Sequence, residues 1–293
     1  MSRLLLFALL AAPAFAADLP LTGIAHVGFA VSDLEKARGF YTGVLGYEQA
    51  FEIKKPDGSI EMAFFKVNDS QYLELSPVAG GGPAPDDRLT HIAFETPAIE
   101  RLRAGLEQAG IKVPAKPGRG RDGNQNFSIR DADGHRVEFV QYQPGSMQMK
   151  AKGSYLGPRR LSSRMLHVGV TVADVAAADR FYKDILGFSE IWRGGTTDDV
   201  TSWINMKVPE GTDYVEYMLV AEKVDRKRLG TLHHAALLVP DMQQALETLR
   251  ERPLGWDPAT VQTPRVGRNK RWQLNLYDSD GSRTELMEPF TMR

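Results

Sequence analysis

The feature that most constrains this chain is that it repeats itself. The stretch HVGFAVSDLEKARGFYTGVLGY, which starts at His26, lies without a gap on HVGVTVADVAAADRFYKDILGF, which starts at His167. Shared positions include Gly28 and Gly169, Asp33 and Asp174, Phe40-Tyr41 and Phe181-Tyr182, and Leu45-Gly46 and Leu186-Gly187. Weaker echoes join HIAFETP (91–97) to HAALLVP (234–240), and DADGHRVE (131–138) to DSDGSRTE (278–285). Self-similarity of this kind means that one supersecondary unit recurs. Here it recurs as two halves of two modules each, and each module opens on a strand that carries a histidine.

The modules share a grammar. A short alternating strand comes first, with Val27, Phe29 and Val31 on one face. A helix follows. Ser32 and Glu35 fit a capping box, and Leu34, Ala37, Phe40-Tyr41 and Val44 recur at helical spacing. In the second module Thr96-Pro97 is expected to start the helix, with proline at its first position. Gly46 or Gly110 ends the helix, and three more strands follow, joined by turns such as Pro56-Asp57-Gly58 and Asp133-Gly134. The expected fold class is therefore α+β, built from four βαβββ modules. Gly- and Pro-rich stretches without periodicity, Ala79 to Pro85 and the region from Gln143 to Ser163, read as linkers.

Residues 1–17, MSRLLLFALLAAPAFAA, have the layout of a secretory signal peptide: Arg3, an apolar run from Leu4 to Ala12, and Ala14-Phe15-Ala16 before the cut. The run is too short for a bilayer span. The expected organisation is a signal peptide (1–17), a first domain (18–143), a linker (144–163) and a second domain (164–293). The mature chain is expected to start near Ala17 or Asp18 and to be secreted, into the periplasm where an outer membrane exists. With 36 basic against 37 acidic residues, nothing attracts the chain as a whole to nucleic acid or anionic lipid. There is no cysteine, so thiolate metal sites, disulfides and a lipoprotein anchor are excluded, and any metal must be held by nitrogen and oxygen.

Four of only six histidines occupy the equivalent position on the first strand of a module: His26, His91, His167 and His234. Two residues further on, on the same face, stands Gly28, Ala93, Gly169 or Ala236, so that face is expected to be roomy, as a ligand cavity requires. The last strand of each module carries a glutamate: Glu74, Glu138, Glu216 and Glu285. The order His26, Glu74, His91, Glu138 has gaps of 48, 17 and 47, and His167, Glu216, His234, Glu285 has gaps of 49, 18 and 51. Two imidazoles and two carboxylates suit a divalent ion such as Zn, Ni, Fe, Co or Mn. An ion would relieve the repulsion between two enclosed carboxylates. A glutamate able to leave the ion, Glu138 or Glu285, is then placed to move a proton from a carbon next to a coordinated oxygen.

With these motifs the sequence resembles the vicinal oxygen chelate superfamily, which includes glyoxalase I, bleomycin-resistance proteins, extradiol dioxygenases and related epimerases. The resemblance covers residues 21–290 and rests on the HVGF and HVGV strands, the FYTGVLGY and FYKDILGF helix ends, and the DADGHRVEF and DSDGSRTEL hairpins. It implies paired modules curling into open, cup-shaped sheets, one domain per half, with His26, Glu74, His91 and Glu138 as one ligand set and His167, Glu216, His234 and Glu285 as a second. Extradiol dioxygenases carry a further histidine before the final hairpin and a Tyr-x-x-acid-Pro pattern. Here Asn269 to Gly281 keeps only Tyr277. The expectation is an exported lyase or isomerase of glyoxalase type, acting on a small molecule with neighbouring oxygens. The alternatives are an Fe(II) extradiol-type dioxygenase and a non-catalytic protein that sequesters a small molecule, of the bleomycin-resistance type. Monomer and homodimer are both compatible with it.

Lys116, Arg119 and Arg121 in the second module match Arg265, Arg268, Lys270 and Arg271 in the fourth. At a cup mouth, Arg119, Arg121, Arg268 and Arg271 would draw in an anionic substrate. Trp192, Trp203 and Trp272 fall in strand-like stretches and either line the second cup or pack in its core. His135, after a turn glycine, is expected to be exposed, and His233 to point away from the ligand set.

Overall fold

The structure is a computed structural model, and it describes residues 19–220, 224–252 and 263–289. The signal-peptide reading falls on residues 1–17, outside the described residues. Each half forms one eight-stranded sheet. The first contains β1 (Gly23–Val31), β2 (Gln49–Lys54), β3 (Ile60–Lys66), β4 (Tyr72–Pro77), β5 (Leu89–Glu95), β6 (Gly118–Arg119), β7 (Gln125–Arg130) and β8 (Arg136–Gln141). The second contains β9 (Met165–Val172), β10 (Ser189–Gly194), β11 (Trp203–Lys207), β12 (Tyr214–Leu219), β13 (His234–Leu238), β14 (Arg265–Val266), β15 (Trp272–Tyr277) and β16 (Arg283–Met287). The strand orders are β2-β3-β4-β1-β5-β8-β7-β6 and β10-β11-β12-β9-β13-β16-β15-β14, so the two sheets share one topology. Within each module the first and last strands pair in parallel. The two modules of a half join through their first strands, β1 against β5 and β9 against β13, antiparallel. The α+β architecture of four βαβββ modules in two cup-like sheets is present as expected.

One sheet face carries the helices α1 (Leu34–Arg38), α2 (Ile99–Gln108), α4 (Val175–Asp179) and α6 (Met242–Arg250). Two short helices, α3 (Met147–Lys150) and α5 (Leu229–Leu232), lie in connections. Val27, Phe29 and Val31 pack with Leu34, Ala37, Phe40 and Tyr41 in a core that is continuous between the halves. Burying such side chains stabilises by roughly 1.5–3 kcal/mol each. Helices α1 and α4 each run into a wider turn, Gly39–Val44 and Arg180–Ile185, closed by Leu45 N–H to Phe40 O and Leu186 N–H to Phe181 O, both 3.0 Å. That extra residue lets both members of each Phe-Tyr pair reach the core.

Three local expectations are corrected. The first helix is capped by Asp33, whose carboxylate accepts from the Glu35 and Lys36 amides, and not by Ser32. Pro97 precedes α2, whose N-cap is Ala98, and Thr96 Oγ1 accepts from the Ala98 amide. The region from Gln143 to Ser163 is not featureless: Ser146 caps α3, and Gln148 docks on Asp122 and Asn124.

Candidate metal centres

Register explains the regular spacing of the histidines and glutamates. Gly28 has Glu74 beside it on one neighbouring strand and His91 on the other, and Ala93 has Glu138 and His26. The second half repeats this: Gly169 lies between Glu216 and His234, and Ala236 between Glu285 and His167. Each cup therefore holds two Glu-small-His rows across the sheet, related by the local twofold of the paired modules. The small residues do not leave an empty cavity, as the sequence reading expected. A Cβ at Gly28 would lie 2.5 and 2.6 Å from atoms of the His91 ring, and one at Gly169 would fall inside the His234 ring's contact shell. The room is taken by the neighbouring strand's imidazole.

In the second cup His167 Nε2 and His234 Nε2 face each other at 3.1 Å. Glu216 Oε2 is 3.7 and 3.5 Å from them, and Glu285 Oε2 is 3.4 Å from both. One atom from each of the four residues fits within a 4.8 Å span, and all four residues are buried. His167 stacks on Tyr214, with ring centroids 4.6 Å apart. His234 Nδ1 lies 2.8 Å from Leu232 O, and a proton given to that carbonyl leaves Nε2 as the free lone pair. Burial, with Arg283 nearby, holds His234 down at about 3, so it is neutral at physiological pH. Burial raises Glu216. It would raise Glu285 too, but the His167 and His234 imidazoles packed against it outweigh burial and hold that carboxyl below the usual range. Two imidazole nitrogens and two carboxylates enclosed at this spacing fit a divalent cation.

In the first cup His26 Nε2 and His91 Nε2 are 2.8 Å apart, each 3.6 Å from Glu74 Oε2. Glu138 stands further off: its Oε2 is 3.9 Å from His91 Nε2 and accepts from Arg136 Nη2 at 3.2 Å. The compact cluster is thus His26, Glu74 and His91. Burial, with the Glu138 charge added, lifts Glu74 to about 8, and burial lifts Glu138 to about 7 against the pull of Arg136. Burial depresses His26 to about 4 and His91 well below its usual range.

The cups differ most beside their clusters. Phe64, across from Glu74, stacks on Phe51 at 4.6 Å and meets the His26 ring edge-on. Tyr72 and Met147 of α3 pack with them. In the second cup the residue across from Glu216 is Asn205, and a cavity of about 270 Å³ opens onto Glu216 and Glu285. Trp192, Trp203, Arg265 and Arg268 line that cavity. Trp272 does not: it packs toward the core, since it alternates with the lining residue Gln273. Arg271 does not stand among the residues that line the cavity, whereas Arg283, which sequence reasoning missed, does. Its signal was its place two residues before Glu285, matching Arg136 before Glu138. Of the first-half pair, Arg119 is exposed in β6, and Arg121 is bound to Glu61 and to Lys54 O at 2.9 Å, tying two hairpins together.

The last two histidines lie at the junction of the halves. His135 is not exposed: its side chain retains 9% exposure and bonds Asp131 at 2.8 Å. Its ring meets that of His233 edge-on at 5.1 Å. His233 is held by Thr171 and Asp87, away from the ligand cluster.

Residues 23–139 and 164–287 match the family model described as Glyoxalase/Bleomycin resistance protein/Dioxygenase superfamily. A curated relative, the ethylmalonyl-CoA/methylmalonyl-CoA epimerase of Cereibacter sphaeroides, is 30% identical over 95 residues, 30% of this chain and 71% of the epimerase. Among solved structures, the Mn(II)-bound glyoxalase from Novosphingobium aromaticivorans superposes with a TM-score of 0.66 at 19% identity, covering 92% of this chain and 82% of that one. The 2,3-dioxygenase LapB from Pseudomonas sp. KL28 gives 0.67 at 16% identity, covering 92% and 93%. At those identities the likeness is one of fold.

Proposed function

We propose, from the premise that this chain belongs to the Glyoxalase/Bleomycin resistance protein/Dioxygenase superfamily, that its second cup is the active centre of a metal-dependent lyase or isomerase of glyoxalase type. The observation that carries the reading is the four-residue set of His167, Glu216, His234 and Glu285 beside an open cavity. A divalent ion held there would polarise a bound oxygen and lower the pKa of the neighbouring carbon or water. His167 and His234 hold their Nε2 atoms at the site, fixed by Tyr214 and Leu232 O. Glu285 lines the cavity and is the proposed base, moving a proton between carbons next to the substrate's oxygens. Glu138 is its counterpart in the first half, but Arg136 engages it and aromatic side chains fill that cup.

Two carboxylates in the set favour this reading over Fe(II) ring cleavage, which uses two histidines and one carboxylate with open positions. The sequence lacks the extra histidine, and no other histidine among the described residues faces the second cup.

Elemental analysis of the purified protein, with His26→Ala and His167→Ala measured separately, tests the metal assignment. His167→Ala is expected to lose the second-cup ion, and full metal retention by both variants sinks the ligand set. Deuterium wash-in from D2O, followed by NMR across small 2-hydroxy and 2-oxo compounds, tests the chemistry. Glu285→Gln keeps a ligand oxygen but cannot take a proton, so exchange should fall by at least ~100-fold. Oxygen uptake with catechols and no exchange would move the protein to the dioxygenases. A metal-free protein with undiminished ligand affinity would make it a sequestration protein. Export is proposed with this function. Protein from the native host should begin near Ala17 or Asp18, and an intact Met1 in that sample overturns it.

A further inference from the structure

The second-cup cavity has two kinds of wall. Trp192, across the sheet from Asn205, and Trp203, across from Met218, give flat apolar surfaces. The cations Arg265, Arg268 and Arg283 face the same space. About 270 Å³ is below the size of a drug-sized site, and suits one ring and a few substituents.

The charges do not cancel. Glu216 and Glu285 balance a divalent ion, and Arg268 is already paired with Asp198. Arg265 and Arg283 remain. The position of Arg283 is the informative one. Its Nη2 lies 2.5 Å from His234 Nδ1, yet that nitrogen's proton is committed to Leu232 O once Nε2 serves as a ligand. An N–H cannot accept, so the contact satisfies nothing. Arg283 Nε is buried without a hydrogen-bond partner. The equivalent Arg136 is in the opposite condition: its Nε donates to Ser128 Oγ at 3.0 Å and its Nη2 to Glu138 Oε2 at 3.2 Å. A guanidinium with unmet donors on a cavity wall is costly until an acceptor arrives, and its planar fork matches a carboxylate.

We infer that the second cup takes a small carboxylate with a flat apolar body, Arg283 receiving the carboxylate and Trp192 and Trp203 the body. This rests on the reading of the second cup as a metal centre, because ligation through His234 Nε2 is what denies Arg283 its acceptor. A carboxylate is favoured over a phosphate because no helix N-terminus or glycine-rich loop supplies backbone donors at this cavity among the described residues.

The test is tryptophan fluorescence of the full-length protein as purified, titrated with mandelate, 1-phenyl-1,2-ethanediol, lactate and phenylphosphonate, with metal content measured on the same samples. Mandelate should bind at least tenfold tighter than the diol, which keeps the neighbouring oxygens and the ring but lacks the carboxylate, and tighter than lactate, which lacks the ring. Arg283→Gln should weaken mandelate by about tenfold or more and erase its advantage over the diol. Arg283→Lys should restore only part of it, since it returns the charge without the fork. The wild-type ligand series stands even if a variant does not fold. Equal binding of mandelate and the diol, an unchanged mandelate affinity in folded Arg283→Gln, or phenylphosphonate as the tightest ligand overturns the inference. Metal bound without carboxylate preference sinks this inference alone. Carboxylate preference in a metal-free protein sinks the metalloenzyme reading and with it the argued origin of the site, because His234 Nδ1 is then free to accept from Arg283.

Discussion

Gly169 shows how much a single missing Cβ decides. The His234 ring occupies the volume that any side chain at 169 would need, and His234 can bring Nε2 to within 3.1 Å of His167 only because that volume is free. Gly169→Ala should push the imidazole off its line, so metal per chain should fall while the sheet still forms. Overpacking of this kind costs roughly 1–3 kcal/mol. Elemental analysis beside a denaturant melt checks both, and normal metal content in Gly169→Ala would refute the crowding argument. At this scale much of the site was legible. The spacing of the four histidines and four glutamates is a register property, and register is written in period-two alternation. The filling of the small-residue space was not, because it comes from the strand beside it: the His91 ring that fills the space at Gly28 lies 63 residues further along the chain (91 − 28).

Capping governs the elements. Ser32 and Glu35 have the spacing of a capping box, but Ser32 is drawn away by the other half: its amide and hydroxyl bond Asp280 at 2.9 and 2.5 Å. Asp33, one residue on, is left to cap the helix. The repeat carries the same rule, since Asp174 accepts from the Ala177 amide at 3.1 Å, so the shared aspartate was the better signal than the serine. Asp174→Ala should cost about 1 kcal/mol in a urea melt with unchanged slope, whereas Ser32→Ala should act through contact between the halves. A neutral Asp174→Ala would remove the cap. The filled first cup belongs to this scale too. Phe64 stands where the second half has Asn205, and Met147 of the linker helix closes over it. Sequence symmetry put the same ligand types in both cups, but equal ligands say nothing about what fills the space beside them.

The halves are joined by reciprocal contacts that neither half's sequence reveals alone. Tyr41 O–H donates to Asp278 at 3.3 Å and Tyr182 O–H to Asp131 at 2.9 Å. Asp280 accepts from the Ser32 amide, and Asp133 from the Ala173 amide at 3.0 Å. The symmetry breaks at a titratable position: the turn after Asp131 carries His135, where the turn after Asp278 carries Ser282. His135 faces Asp131, Asp133 and Asp87, with the His233 ring against it. Burial lowers its pKa, but the hydrogen bond and charge of Asp131, with Asp133 and Asp87 behind it, outweigh burial and leave it above 6.5. The sign follows from linkage. A histidine whose folded pKa lies above its unfolded value contributes stability that is fully present below about 6.5 and is lost as pH rises through the folded pKa. Wild type should therefore lose stability relative to His135→Gln as pH goes from 5.5 to 8.5. The difference between the two melting curves removes the other titrating groups common to both. Measured in an Asp131→Asn background, the His135→Gln difference should flatten, because the carboxylate that holds the proton is gone. A wild-type advantage that stays constant, or grows, with rising pH would mean that His135 is neutral at the junction and that its pairing with Asp131 adds no charge-dependent stability there.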